Sequence, residues 1–422
     1  RIPHLSVLDI FMQDTQDSKM PRMFLAAVIL ISMCGPLGMN IILPSLSSYQ
    51  EVFKTDYANA QLTLTFYLSA IALAQLIYGP ISDKIGRKPI VLFGLVVFGI
   101  GSLICLFSTS IEMMIFGRMV QAFGGCSGMV MGRAMVRDLY KDDEAASVIA
   151  YMTMAIVLAP TLAPALGGIL EDQFGWQASF VFVLGFAGLV LAVVLSGIQE
   201  TLPGNKRHNS RFASLFMSYG HLLKNPKFMA YTFQVGFCTA AYFAFLGGSS
   251  FVLLDLMDGS ASQLGILFVV VSLFYILGNF GTARLAKKLG VPWMIRLGTI
   301  IIVIGALLLC AWELTIGLGP YSFFGLMSIV AFGNGFCVSS GLASAIGADP
   351  ERVGAASGLA GSMQIGLGAI STYIAGSLLA AYETTPMPLL LVILGCCVLG
   401  LLSFLFGERV RWSSLPRPVH AE

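Results

Sequence analysis

Apolar residues run along this chain in stretches of about twenty, the length that carries an α-helix across a bilayer core. Six such stretches fall at 23–43, 59–81, 89–108, 112–135, 145–170 and 176–198. Six more follow at 229–253, 263–283, 293–313, 319–347, 354–382 and 386–407. Within each set the polar connections are short, so consecutive helices become antiparallel neighbours. The segment 199–228 interrupts the pattern with Pro203, Gly204, Asn205, Lys206, Arg207 and Arg211. It is too polar for lipid and reads as a linker. The pattern predicts an all-α membrane protein with twelve transmembrane helices in two six-helix halves, 23–198 and 229–407. Polar tails are expected at 1–22 and 408–422, with a short amphipathic helix over Leu5–Met12. No cleavable leader is expected, because the first twenty residues are polar and the first apolar run is a full span.

Composition agrees with a membrane protein. Of 422 residues, 57% are hydrophobic and 11% charged, against about 25% charged in soluble domains. The net charge of +2 gives no argument for nucleic acid, since the bases sit in loops and not on one exposed face. Their placement orients the chain. Arg1, Lys19 and Arg22, then Lys84, Arg87 and Lys88, then Arg133, Arg137 and Lys141 occupy alternate connections, as does the linker. Arg284, Lys287, Lys288, Arg296, Arg352, Arg409, Arg411 and Arg417 continue the alternation, whereas the opposite loops carry only Lys54. The positive-inside rule makes the basic connections cytoplasmic and both termini with them. All eight cysteines lie in apolar stretches, and His4, His208, His221 and His420 lie outside the spans. No disulfide, metal site or cofactor is expected. No His/Asp/Glu or Ser/His cluster occurs within the spans, which argues against an enzyme.

The shortest connection is the most informative. Residues 79–91 read Gly79-Pro80-Ile81-Ser82-Asp83-Lys84-Ile85-Gly86-Arg87-Lys88-Pro89-Ile90-Val91. Gly79 is expected to let two helices approach closely, and Gly86 to permit a turn that a β-carbon would resist. Asp83 is placed to accept hydrogen bonds from the amides at a neighbouring helix start. Residues 283–298 echo this stretch, with Gly290 at the place of Gly86 and Gly298 at that of Gly94, though Lys287 replaces Asp83. In the fourth span stand Arg118, Gln121 and Gly124, followed by Arg133, Arg137 and Asp138. An Arg inside a span needs a partner or a wet cavity; the other reading puts Arg118 at the outer interface, reaching outward. The fifth span carries Pro160, Pro164, Gly167 and Gly168. The prolines bend the helix and the glycines allow tight packing, in a purely structural kink or in a functional one.

Residues 79–88 fit the G-x-L-a-D-r-x-G-r-k loop of the major facilitator superfamily, varied at Pro80 and Ile81. The spacing R-x-x-Q-x-x-G at Arg118 resembles that family's fourth-span motif, found in proton-linked members. The stretches RAMVRD at 133–138, APTLAPALGG at 159–168 and PERVGAASG at 350–358 resemble more narrowly the Bcr/CflA drug-resistance exporters. The resemblance implies the major facilitator fold with two pseudo-symmetric halves. It also implies a cytoplasmic latch at Gly79, Asp83, Gly86, Arg87 and Lys88, gating positions at Arg133, Arg137, Asp138, Pro160, Pro164, Gly167 and Gly168, and residence in a bacterial inner membrane.

One position departs from the family. Gly38-Met39-Asn40-Ile41-Ile42-Leu43-Pro44 matches a D-M-Y-L-P stretch, but Asn40 stands where relatives have an embedded Asp. Asn cannot titrate, so the proton carrier is unidentified and Arg118 is free to meet an anionic group. Glu112, Glu171, Asp172, Glu313 and Glu383 are expected at the periplasmic ends, and Asp255 and Asp258 in the loop after the seventh span. Polar and aromatic residues inside spans, each either a packing hydrogen bond or a pocket contact, are Tyr67, Gln75, Gln234, Tyr242, Asn279, Asn334, Gln364 and Tyr373. Phe66, Phe243 and Phe245 face either the pocket or lipid. The expectation is a monomeric secondary transporter that exports small amphipathic molecules, with protons as coupling ion. A carrier of an anionic metabolite or metal-chelating polycarboxylate is the alternative.

Overall fold

The computed structural model describes residues 22–140, 142–202 and 212–413. The expected helix at Leu5–Met12, part of the linker and the end of the second tail lie outside these. Among the described residues every regular element is helical. A first set comprises α1 (Arg22–Asn40), a short α2 (Ser48–Phe53), α3 (Tyr57–Ile85), α4 (Arg87–Leu106), α5 (Ile111–Leu139), α6 (Asp142–Phe174) and α7 (Gln177–Gly197). The amphipathic α8 (Phe212–Lys224) sits within the stretch expected to be a plain linker. A second set follows: α9 (Pro226–Leu254), α10 (Ala261–Leu289), α11 (Val291–Thr315), α12 (Pro320–Ile346), α13 (Val353–Ala381) and α14 (Met387–Ser413).

Leaving aside α2 and α8, the long helices coincide with the twelve expected apolar stretches. Ten of them are long and apolar enough to cross a membrane. Of the remaining two, α5 falls short because it carries Glu112, Arg118, Arg133, Arg137 and Asp138. Large apolar side chains such as Leu73, Phe93, Ile100, Phe116 and Leu189 are exposed, as a surface facing hydrocarbon requires.

Helix starts follow local chemistry. Asp56, Ser110 and Ser260 accept the amides of Asn59, Met113 and Gln263 at 2.8, 3.3 and 3.1 Å, capping α3, α5 and α10. Pro226, Pro292 and Pro320 occupy first-turn positions, where a missing N–H costs nothing. Gly86 at φ 113° ends α3 and starts α4; Gly290 at φ 83° ends α10 and starts α11. Both dihedrals lie in the region that only glycine enters freely. The weak sequence echo is therefore a repeat of backbone geometry.

The two sets meet along α3–α13 and α6–α10. Thr65 and Thr372 bond at 3.0 Å, and Ser362 donates to the Ala72 carbonyl at 2.8 Å. The remaining bonds between sets cluster at the end away from the basic loops. There Ser47 meets Ser250 at 3.1 Å, Gln50 donates to Asp255 at 3.1 Å, and Asp172 accepts the Ser262 amide at 3.0 Å. At the basic end, a β-carbon placed on Gly79 or Gly354 would find no neighbour within 4 Å. The close approach expected at Gly79 is absent, because the sets join at the other end.

Candidate functional site

Arg118 lies eight residues after the cap of α5, about 12 Å along the helix, and is 0% exposed. The interfacial reading of this residue is thereby excluded. Its guanidinium donates to the Gly38 carbonyl at 2.8 Å and to Gln121 Oε1, and lies 4.0 Å from the Tyr67 ring centroid. Gln121 in turn donates to Ser102 at 2.8 Å, and the Tyr67 hydroxyl donates to the Gly35 carbonyl at 2.9 Å. Asn40, also 0% exposed, donates to the Pro36 carbonyl at 2.7 Å, while its Oδ1 has no partner. Nε and Nη2 of Arg118 likewise have none. Tyr67, Arg118 and Gln121 thus gather from α3 and α5 around the Gly38 carbonyl of α1, with Ser102 of α4 as an unforeseen fourth member, while Asn40 bonds within its own helix. Among the described residues Arg118 makes no ion pair. A buried cation held only by neutral dipoles and a π face costs several kcal/mol relative to a paired one.

The second set offers a different surface. Tyr242 stacks on Tyr275 with centroids 6.3 Å apart; Gln364 donates to Thr239 at 2.9 Å; Asn279 donates to the Tyr275 carbonyl at 3.0 Å. These side chains, from α9, α10 and α13, are half-buried and uncharged. Thr239 and Tyr275 escaped sequence reasoning, since a lone Thr or Tyr in an apolar run carries no signal of its own. Two expected members do not join them. Gln234 is fully buried between α9, α11 and α12, donating to Thr299 at 3.4 Å, where it ties helices of one set together. Asn334 is 2% exposed with both amide atoms unpartnered. Tyr373 and Phe66 face outward, whereas Phe243 and Phe245 are buried, the latter packed with Phe268, Phe323 and Phe324.

The basic loop forms a compact charged cluster. Arg87 donates to Asp83 at 2.7 Å, to Asp138 at 3.0 Å and to the Ser82 hydroxyl; Thr201 donates to Asp138 at 3.2 Å. The α4 amides expected to bond Asp83 go elsewhere: Arg87 N and Lys88 N donate to Glu200 at 2.9 and 3.3 Å. Asp83 lies at the end of the preceding helix and meets the Arg87 side chain instead. Glu200 takes the dipole-favoured place at the start of α4. As the one acid in 199–228 it was visible in the sequence, but nothing in the order of residues linked it to position 87. The cluster joins α3, α4, α5 and the segment after α7, all in the first set. Arg133 and Arg137 are exposed on α5 and take no part in its hydrogen bonds.

Pro160 and Pro164 lie inside a continuous α6. Gly167 and Gly168, adjacent in sequence, serve different contacts. A β-carbon on Gly167 would lie 1.9 Å from the Ile41 carbonyl of the first set, and one on Gly168 would lie 2.2 Å from the Ala261 carbonyl of α10. Gly168, not Gly167, seats the first set against the second.

Comparison with known proteins identifies the chain. Residues 28–257 match the family model of the Major Facilitator Superfamily. The chain is 31% identical over 402 residues to an MFS-type transporter of Bacillus subtilis, YdgK, covering 93% of this chain and 98% of that one. It is 29% identical over 388 residues to a bicyclomycin resistance protein homolog of Haemophilus influenzae, covering 91% and 95%. The multidrug transporter MdfA of Edwardsiella piscicida is 28% identical over 279 residues, 65% of this chain and 67% of that one. A bacterial homolog of the human lysosomal transporter Spinster, solved inward-facing, shares the fold at TM-score 0.71 and 15% identity, covering 94% and 98%. The chain belongs to the Major Facilitator Superfamily and is a multi-pass membrane transporter.

Proposed function

We propose that the protein is a secondary active exporter of small amphipathic molecules, working by alternating access between two six-helix halves. It acts as a monomer in a bacterial inner membrane, with both termini and the basic loops cytoplasmic and all twelve long helices crossing. Protons are the coupling ion. The observation that carries the reading is the half-buried, uncharged wall of Thr239, Tyr242, Tyr275, Asn279 and Gln364. Aromatic faces and amides with spare hydrogen-bonding capacity suit a ligand that is largely apolar with a few polar groups. The names of the bicyclomycin-resistance and multidrug relatives support the same substrate class.

A second reading has its own support. The orphaned Nε and Nη2 of Arg118, with no carboxylate bonded to them, would complement an anionic metabolite or polycarboxylate once helix movement admitted it. Uptake into proteoliposomes, with drugs and polycarboxylates tested separately with and without a pH gradient, decides between them. Gradient-driven movement of neutral or cationic drugs supports the exporter; movement of polycarboxylates alone replaces it with the anion carrier.

A further inference from the structure

α3 meets the second helix set along a single stripe. Tyr57, Gln61 and Thr65 recur at four-residue spacing and so share one helix face. The Tyr57 hydroxyl donates to the Gly247 carbonyl of α9, and its ring lies 4.7 Å from that of Phe251. Thr65 bonds to Thr372 of α13 at 3.0 Å. Gln61, between them, is 1% exposed, and neither its Oε1 nor its Nε2 has a hydrogen-bond partner. Shape alone holds it. A β-carbon on Gly247 would lie 2.2 Å from Gln61 Nε2, and one on Gly376 of α13 would lie 2.2 Å from Oε1. The amide fills a notch made by two glycines on two helices of the other set.

An apolar side chain of the same length would fill that notch without stranding a donor and an acceptor. A stranded amide disfavours whichever arrangement buries it, and the penalty disappears once water reaches the group. We propose that Gln61 is a positioning residue that sets the balance between closed and open arrangements of this end of the molecule. Its bulk in the two-glycine notch gives the closed end its register, and its unsatisfied amide keeps that closure reversible. The inference rests on the alternating-access reading.

The test is a distance measurement by pulsed electron resonance on the full chain in lipid nanodiscs. Spin labels go on Val52→Cys and Glu383→Cys, exposed positions on either side of this end, in a chain with its native cysteines replaced. Gln61→Met should shift the population toward the short distance by about tenfold, the scale of one recovered hydrogen-bond penalty. Gly376→Ala should shift it toward the long distance, and Gln61→Ala combined with Gly376→Ala should reverse that shift. The inference is overturned if wild type shows two distances while Gln61→Met changes their ratio by less than twofold, or if the double variant does not relieve Gly376→Ala. The reversal is a gain, which misfolding cannot produce. A single unchanging distance in wild type and all variants would overturn both the inference and alternating access.

Discussion

At Arg118 the decisive fact is a missing acid. The guanidinium is buried and bonded to the Gly38 carbonyl and Gln121, and stacked on Tyr67, yet it keeps two nitrogens unpartnered. Arg118→Ala removes the charge but strands Gln121 Oε1 and the Gly38 carbonyl, each at a cost of about 1–3 kcal/mol. Binding of transported ligand, followed by calorimetry, should fall more than tenfold. Arg118→Lys should fall less, because the charge survives while the planar fork that reaches two acceptors does not. Asn40→Asp is expected to act in the same sense on anions, by a different route. It sets a carboxylate two residues beyond Arg118's own acceptor, Gly38, satisfies the cation internally, and weakens anion binding while making drug transport sensitive to a pH gradient. Normal transport by Arg118→Ala together with an unchanged Asn40→Asp would reduce the network to packing. The identity of this group was legible in the sequence, since a buried Arg and a non-titrating Asn stand out against apolar neighbours. Its membership was less so. Gln234 and Asn334 carry the same chemistry as Gln364 but face the inside of their own helix set, and a helix with little hydrophobic asymmetry does not reveal which side a polar residue takes.

Individual helices show the same division. The glycines of α6 were evident as close-packing positions, but adjacent residues point about 100° apart on a helix, so which neighbour each serves depends on the packed partner. The structure separates their consequences. Gly168→Leu should wedge α6 from α10 and expose the end bearing Asp172 and Ser262 to a membrane-impermeant thiol reagent, read on a cysteine placed there. Gly167→Leu presses instead on the Ile41 carbonyl within the first set, and should lower thermal stability by about 1–3 kcal/mol without that exposure. Equal labelling in both variants would contradict the assignment. The charged loop is partitioned in a similar way. Arg87 and Asp138 side chains are 10% and 16% exposed, whereas Asp83 is 42% exposed. Removing one partner of a buried pair costs about 3–5 kcal/mol, and an exposed pair contributes about 0–1 kcal/mol. Asp138→Asn should therefore lower the melting midpoint clearly. Asp83→Asn should leave it nearly unmoved, slowing transport while ligand affinity stays within a few-fold, as a latch requires. Weakened binding with an intact transport cycle would place Asp83 in the substrate path instead.

Across the whole molecule, twelve long helices and a duplicated glycine turn were legible because span length and the Gly86/Gly290 spacing are local. Which helices join the two sets was not, because that depends on residues hundreds apart, such as Thr65 with Thr372 or Gln50 with Asp255. Those pairings bear on how protons could drive the cycle. Among the described residues no carboxylate reaches Arg118, but two are hydrogen-bonded between the sets at the end away from the basic loops, Asp172 and Asp255. Asp172 accepts the amide and hydroxyl of Ser262 in the first turn of α10, where the helix dipole favours a negative charge. Burial raises the Asp255 carboxyl above its ordinary value, so a proton taken up there favours the closed arrangement that buries it. A proton bound on this side would then accompany its closing, the step in which an antiporter carries the proton across. In proteoliposomes, Asp172→Asn with Asp255→Asn should abolish stimulation by an inwardly directed proton gradient while preserving exchange of labelled for unlabelled substrate at equal pH. If the gradient still accelerates the double variant as it does the wild type, the coupling proton binds elsewhere and these carboxylates serve closure alone.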